Sequence, residues 1–272
     1  MPLSIPPPSR EKIIDDVSNH LVKAQHPFVL SGAGMGVASG LETFRGAKGH
    51  WNKYRPEDLS SIEGFRRDPI MVWDWYNERI TKYLASEPNN GHHALAKLQE
   101  INKNTIIATQ NVDGLQERAG GENILEIHGS IFDLKCTGLC GDPKKDGVIA
   151  RLTGPFLGNE ESEDPYRHEG CGGLLRPGVV FFGDNLPHQV YAEAQYASKK
   201  ADIILIVGTS AEVYPAMELA RIHDSSVILV EINPNPVLIH KTKLVLTKGS
   251  EIDLMDIIES TRNKSHQRSL GR

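Results

Sequence analysis

The chain is short of cysteine, of basic excess and of long apolar runs, and each shortage removes a class of protein. Three cysteines, Cys136, Cys140 and Cys171, cannot build a disulfide scaffold, and an odd count suits a reducing compartment. Thirty basic residues against 35 acidic ones leave a net charge of −5. With no positive excess to grip a polyphosphate, nucleic acid is not expected as a partner. The longest apolar runs, Ile203–Val207 and Val227–Val230, fall far short of the ~20 residues of a membrane helix, so no membrane partner is expected. The opening MPLSIPPPSREKIIDD has neither the apolar core of a secretory signal nor the Arg- and Ser-rich, acid-poor character of a mitochondrial presequence. A cytoplasmic or nuclear location is the default, and a mitochondrial one stays open. What is present is ordinary for an enzyme: 272 residues, 39% hydrophobic and 24% charged. That length suits one large domain or a domain carrying an insert.

Five aliphatic or β-branched runs closed by turn residues read as buried strands: Pro27–Ser31, Thr105–Thr109, Ile203–Val207, Val227–Ile232 and Lys243–Leu246. Their continuous apolar character implies cover on both faces, as in a parallel sheet. Helix-like stretches lie between them: Glu11–Ala24, Met71–Ala85, His92–Asn102, Pro187–Ser198, Tyr214–His223 and Ile252–Ser260. The expected fold is therefore α/β, a Rossmann-like doubly wound parallel sheet. Two regions break the alternation. Residues 46–88 form a Trp- and Tyr-rich helical excursion, and residues 132–176 hold all three cysteines in a loop-rich stretch. These two inserts are expected to make a small domain over the carboxyl edge of the sheet, with 1–45, 89–131 and 177–261 forming the large one. The polar tail 262–272 lacks an apolar period and is expected to be disordered.

The first strand runs into Ser31-Gly32-Ala33-Gly34-Met35-Gly36-Val37. Glycine at such a turn lets the backbone approach a pyrophosphate, and amides at a helix start attract its charge. Strict G-x-G-x-x-G fails at Val37, and a plain tight turn explains the segment equally well. The second strand ends in Thr109-Gln110-Asn111-Val112-Asp113. Gln, Asn and Asp crowded at a strand end are costly to bury unless they bind something polar, such as a ribose or a carboxamide. Glu126-Ile127-His128-Gly129-Ser130 follows, placing a histidine on the side of that cluster, where it can serve as a general base.

GAGMGVASGLETFRG, TQNVDGLQERAG, EIHGS, CGGLLRPGVVFFGDNLP and GTSAEVYPA, in this order and spacing, resemble the motif set of the sirtuins from about Val29 to Asn233. The resemblance implies an NAD-consuming protein-lysine deacylase. It places Gly32, Ala33 and Gly34 along the pyrophosphate and Phe44 and Arg45 on a cofactor loop. Gln110, Asn111 and Asp113 would hold the nicotinamide ribose and carboxamide, and Gly208, Thr209, Ser210 and Asn233 the adenosine half. The acyl-lysine oxygen would attack the ribose carbon as nicotinamide leaves, with His128 as base on a ribose hydroxyl. The products would be lysine, nicotinamide and O-acyl-ADP-ribose. An extended acyl-lysine protein or peptide would lie between Val180–Asp184 and Glu212–Tyr214, with Phe182 and Val213 flanking the lysine stem. A monomer is expected.

Tyr76 and Arg79 stand three apart in a helical tract, so both can share one face. An Arg fork beside a phenol suits capture of a carboxylate. The tract resembles the Tyr-x-x-Arg signature of class III sirtuins, the sirtuin-five type, which implies succinyl-, malonyl- and glutaryl-lysine as substrates. Ala47 and Tyr214 agree with it, the small Ala47 leaving room for a longer acid chain. The alternatives are a plain NAD-dependent deacetylase, an ADP-ribosyltransferase, or a pseudo-enzyme that only binds NAD or ADP-ribose. Sirtuins usually hold a structural zinc between two Cys pairs, and this chain departs from that pattern. Cys136 and Cys140 are C-x₃-C and only Cys171 remains of the second pair. His168, three residues earlier, can complete a Cys₃His set; an unmetallated module held by packing is the other reading.

Overall fold

The computed structural model describes residues 8–270, apart from 45–48, 50, 51, 53, 139, 141–146, 159–163, 165, 211, 222–225, 239–241 and 243. Six strands form one parallel sheet: β1 (Pro27–Ser31), β2 (Ile106–Thr109), β3 (Ile124–Glu126), β7 (Ile203–Val207), β8 (Ile228–Ile232) and β9 (Leu244–Leu246), in the order β3-β2-β1-β7-β8-β9. β1 and β7 lie at the centre and are buried along their whole length, as their unbroken apolar character requires.

Alternate residues of the central strands feed two cores. Val29, Leu205 and Val207 pack under α1 (Arg10–Leu21), α5 (Asn90–Ile101) and α8 (Ser250–Leu270), against Val17, Leu95, Leu98, Leu254 and Ile257. Phe28, Leu30, Ile204 and Ile206 face the other way, toward Ala194 and Ala197 of α7 (His188–Lys200) and Leu219. This is the doubly wound arrangement, and it opens a crevice at the carboxyl ends of β1, β2 and β7.

A third core joins the helices α2 (Pro56–Leu59), α3 (Ile62–Arg67) and α4 (Pro69–Ala85) to a three-stranded antiparallel sheet of β4 (Gly129–Cys136), β5 (Val148–Arg151) and β6 (Leu175–Val179). Helix α4 starts where Asp68 accepts the Met71 amide at 2.9 Å and Pro69 takes the first turn. Trp73 is its anchor: the indole Nε1 donates to the Leu175 carbonyl at 2.9 Å, and the ring meets Phe156 at 4.6 Å.

The structure departs from the sequence expectations at four places. β3 is an additional strand, three residues long and too short for any period to show. The stretch 132–176 is more regular than its composition implies, because β4 and β6 pair across the cysteine module. The expected helix Tyr214–His223 is, over its described residues 214–221, a 3₁₀ stretch at Ala216–Ala220 following Pro215; residues 222 and 223 lie outside the described residues. The tail is corrected most. Helix α8 continues to Leu270 rather than fraying after residue 261. Its polar residues are held by α1: Lys264 Nζ donates to the Asp15 carbonyl at 3.0 Å and to Asn19 Oδ1 at 2.8 Å, and Arg268 reaches the Val22 carbonyl. At the other end of the same contact Arg10 pairs with the fully buried Asp253 and with Asp256. No helix among the described residues is long and apolar enough to cross a membrane.

Candidate active site

Three glycines bring the turns after β1 and β7 together. Gly32 donates to the Val207 carbonyl at 3.0 Å and Gly34 to the Gly208 carbonyl at 2.8 Å. A Cβ on Gly34 would stand 2.7 Å from Gly208 Cα, and one on Gly32 2.8 Å from Thr209 Cβ. Gly208 itself lies at φ +59°, a conformation that favours glycine. No side chain fits at these positions, so only glycine lets the turns after β1 and β7 pack this closely.

The residues after β2 tie this turn to its neighbours. Gln110 Nε2 donates to Thr209 Oγ1 at 3.0 Å, and Asn111 Nδ2 to the Gly32 carbonyl at 3.1 Å. Asn233 Nδ2 donates to the Thr209 carbonyl at 2.9 Å, extending the chain of contacts to the end of β8. Asp113 accepts the Leu115 amide at 2.9 Å, and burial pushes its carboxyl up to about 6. Gln110, Asn111, Asp113, Gly208, Thr209 and Asn233 therefore converge on one edge. Ala33 and Ser210 flank them in sequence, and Phe44 packs on the third core. Arg45 and Ala47 lie outside the described residues.

His128 sits between this edge and the cysteine module. Its Nδ1 is 3.1 Å from the Gln110 carbonyl. A carbonyl only accepts, so Nδ1 carries the proton and Nε2 holds the lone pair. Burial lowers the imidazole pKa below 6.5, against the opposing pull of that carbonyl. The ring is thus a neutral base with a fixed tautomer. The His128 carbonyl accepts the Val180 amide at 2.9 Å, which couples the histidine to the Val180–Phe182 segment. Phe182 and Tyr214 are exposed, Tyr214 by 72%, while Val213 and Val180 are half-buried.

One residue of the site escapes the sequence reading. His92, in the first turn of α5, lines a cavity with Ser31, Met35, Thr109, Asn111 and Asp113. Its Nδ1 accepts the Asn89 amide at 3.2 Å, whereas its buried Nε2 has no hydrogen-bond partner among the described residues. Burial brings its pKa down to about 4, so it stays neutral. The only local signal is a histidine in a helix-start box; its neighbours in the cavity come from distant segments. The cavity holds only about 10 Å³, so that nitrogen faces room for a single water-sized polar group.

Tyr76 and Arg79 lie on the inner face of α4. Arg79 is only 5% exposed, its guanidinium carbon stands 3.0 Å from the centroid of the Trp75 ring, and its Nη1 donates to the Trp75 carbonyl at 3.0 Å. Burial brings its pKa down to about 10, which still leaves a cation at neutral pH. The Tyr76 hydroxyl pairs with Ser60 Oγ at 3.4 Å, and burial pushes the phenol up to about 12. Ser60 also accepts the Phe182 amide through its carbonyl, linking α4 to the Phe182 segment.

Cys136, Cys140, His168 and Cys171 do converge, with all ligand atoms within 4.8 Å of one another. Sγ of Cys171 lies 3.4 Å from that of Cys136 and 3.1 Å from that of Cys140, and His168 Nδ1 is 3.1 Å from Cys140 Sγ. Thiolates about 2.3 Å from a tetrahedral zinc stand about 3.8 Å apart, so a small expansion accommodates the ion. The Gly138 and Gly173 amides point at the Cys136 and Cys171 sulfurs at 3.3 and 3.4 Å, the outer support a thiolate site needs. The donor set fits a structural zinc.

Comparison with known proteins gives a consistent result. Residues 32–215 match the Sir2 family. An NAD-dependent protein deacylase of Pyrococcus furiosus is 43% identical over 225 residues, covering 82% of this chain and 88% of that protein. The mitochondrial NAD-dependent protein deacylase sirtuin-5 of Canis lupus familiaris is 40% identical over 220 residues, covering 75% of this chain and 71% of that protein. A solved Sir2 homologue in complex with NAD superposes with a TM-score of 0.81 at 34% identity, covering 92% of this chain and 94% of the other. With two thirds of its length inside the family match and the glycine turns, Gln-Asn-Asp cluster and histidine gathered on one sheet edge, this chain belongs to the Sir2 family.

Proposed function

We propose that this Sir2-family protein deacylase removes acidic acyl groups (succinyl, malonyl or glutaryl) from protein lysines and consumes NAD in doing so. The observation that carries the reading is Arg79, a buried cation on the inner face of α4 beside a neutral phenol donor. A carboxylate at the end of an acyl chain is the ligand that a planar guanidinium fork with a neighbouring phenol matches.

NAD, when bound, supplies the electrophilic ribose carbon and the hydroxyl that finally accepts the acyl group. The protein's share is binding, orientation and one proton transfer. The Gly32–Ala33–Gly34 turn presents backbone to the pyrophosphate. Gln110, Asn111 and Asp113 hold the nicotinamide ribose and carboxamide, and Gly208, Thr209, Ser210 and Asn233 the adenosine half. His128 accepts a ribose-hydroxyl proton at Nε2, with Nδ1–H held by the Gln110 carbonyl. The substrate backbone adds as a strand between Val180–Phe182 and Val213–Tyr214. The exposed Phe182 and the half-buried Val213 close over the lysine stem.

The deciding experiment follows product mass with NAD and matched acetyl- and succinyl-lysine peptides. The wild-type protein is expected to favour the succinyl peptide, and Arg79→Met to lower kcat/KM for it by about 30-fold or more, the scale of a lost charge-assisted pair. Deacetylation falls far less. A wild-type preference for acetyl, or equal losses on both peptides, returns the chain to plain NAD-dependent deacetylation.

A further inference from the structure

Resting on the acidic-acyl reading, the geometry points to Trp75 as the positioning residue for Arg79: its indole is a platform that sets the guanidinium for acid-chain recognition. Neither the motif reading nor any feature of the reaction assigns Trp75 a role. Three observations support it. The guanidinium carbon lies 3.0 Å from the Trp75 ring centroid, and Nη1 is tied to the Trp75 main-chain carbonyl, so one residue contacts the group both through its ring and through its backbone. Trp75 and Arg79 are four apart on α4, the spacing that stacks one side chain over the other. The ring is itself fixed, being 5% exposed, edge-on to Tyr76 at 4.8 Å and to Tyr54 at 6.3 Å.

The physical consequence follows from the shape of the guanidinium. An aromatic platform uses a face of the planar cation, whereas a carboxylate is captured through its in-plane N–H edges. The two interactions are therefore compatible on one group, and the first pre-pays the ordering that the second requires. Without the ring, a side chain with several rotatable bonds must be ordered by substrate alone. A cation–π contact also strengthens as its partners are buried, and both residues are 5% exposed.

The test compares wild type, Arg79→Met, Trp75→Phe and Trp75→Leu by kcat and KM on acetyl- and succinyl-lysine peptides at saturating NAD. Trp75→Leu is expected to lower the succinyl-to-acetyl ratio of kcat/KM about tenfold, chiefly through the KM for the succinyl peptide. Trp75→Phe, which keeps a π face, should recover most of that ratio. A Trp75→Leu ratio equal to wild type, equal losses on both peptides, or a Phe variant as impaired as the Leu variant overturns the platform while leaving Arg79→Met free to support the acidic-acyl reading. Equal losses on both peptides in Arg79→Met sink that reading, and the platform with it. Should Trp75→Leu not fold, the arginine Nε–Hε NMR spectrum of the wild type decides. One resonance shifted upfield by the indole ring current and lost in Arg79→Met supports the stacking; no such resonance overturns it.

Discussion

At His128 a single hydrogen bond decides which nitrogen can act. The Gln110 carbonyl holds the proton on Nδ1, and burial depresses the imidazole pKa, so the base is ready at neutral pH and is lost only on acidification. Burial pushes the Asp113 carboxyl up to about 6. The acid limb of log kcat/KM is therefore expected below pH 6.5, with a slope between one and two because both groups must be unprotonated. A pH profile on the preferred peptide checks this; a limb centred at or above 6.5 contradicts the burial argument. His128→Asn should cost about 10²- to 10⁴-fold in kcat. The chemistry of Gln110, Asn111, Asp113 and His128 was legible as residue types, because polar groups at strand ends announce a polar ligand. His92 was not, since what makes it notable is a nitrogen without a partner among the described residues, inside a cavity built from three separate segments.

The elements differ in how plainly they can be read. β1 and β7 are unbroken apolar runs of five residues, each fully buried, and strands of that kind declare themselves. β3 is only Ile124–Glu126, and its assignment depends on pairing with β2, which no local pattern encodes. The cysteine module is an intermediate case. The spacing of Cys136, Cys140, His168 and Cys171 suggested a ligand set, yet the strands that bring them together, β4 and β6, were hidden by the loop-like composition between them. If the four residues hold zinc, the purified protein contains about one zinc per chain. Removal by a chelator should then lower the melting temperature by loosening the β4–β6 sheet and the core on which α4 packs. Metal analysis with a thermal melt reads both, and substoichiometric zinc in natively purified protein contradicts the assignment.

On the scale of the whole molecule, the feature that composition concealed is the contact between its two end helices. α8 looked like a helix with a disordered continuation because its last turns carry no apolar stripe; its order comes from Lys264 and Arg268 reaching acceptors on and just after α1. The reciprocal contact is Arg10 on the fully buried Asp253. Arg10→Ala leaves that carboxylate, among the described residues, with the Lys248 amide at 2.8 Å and should destabilise the protein by about 2 kcal/mol, measured by urea unfolding. A loss under ~0.5 kcal/mol would make the pair a surface ornament.

This clasp has a meaning for synthesis as well as for stability. One face of the sheet is roofed by α1 and α8 together with α5, so α1 leaves the ribosome long before the partner that completes its cover. Until α8 is made, Val17 and Leu21 have only part of their final cover, and the nascent chain carries an open apolar flank. A chain stalled or cut before residue 250 would expose that flank permanently, and its expected fate is capture by chaperones or aggregation rather than a smaller folded enzyme.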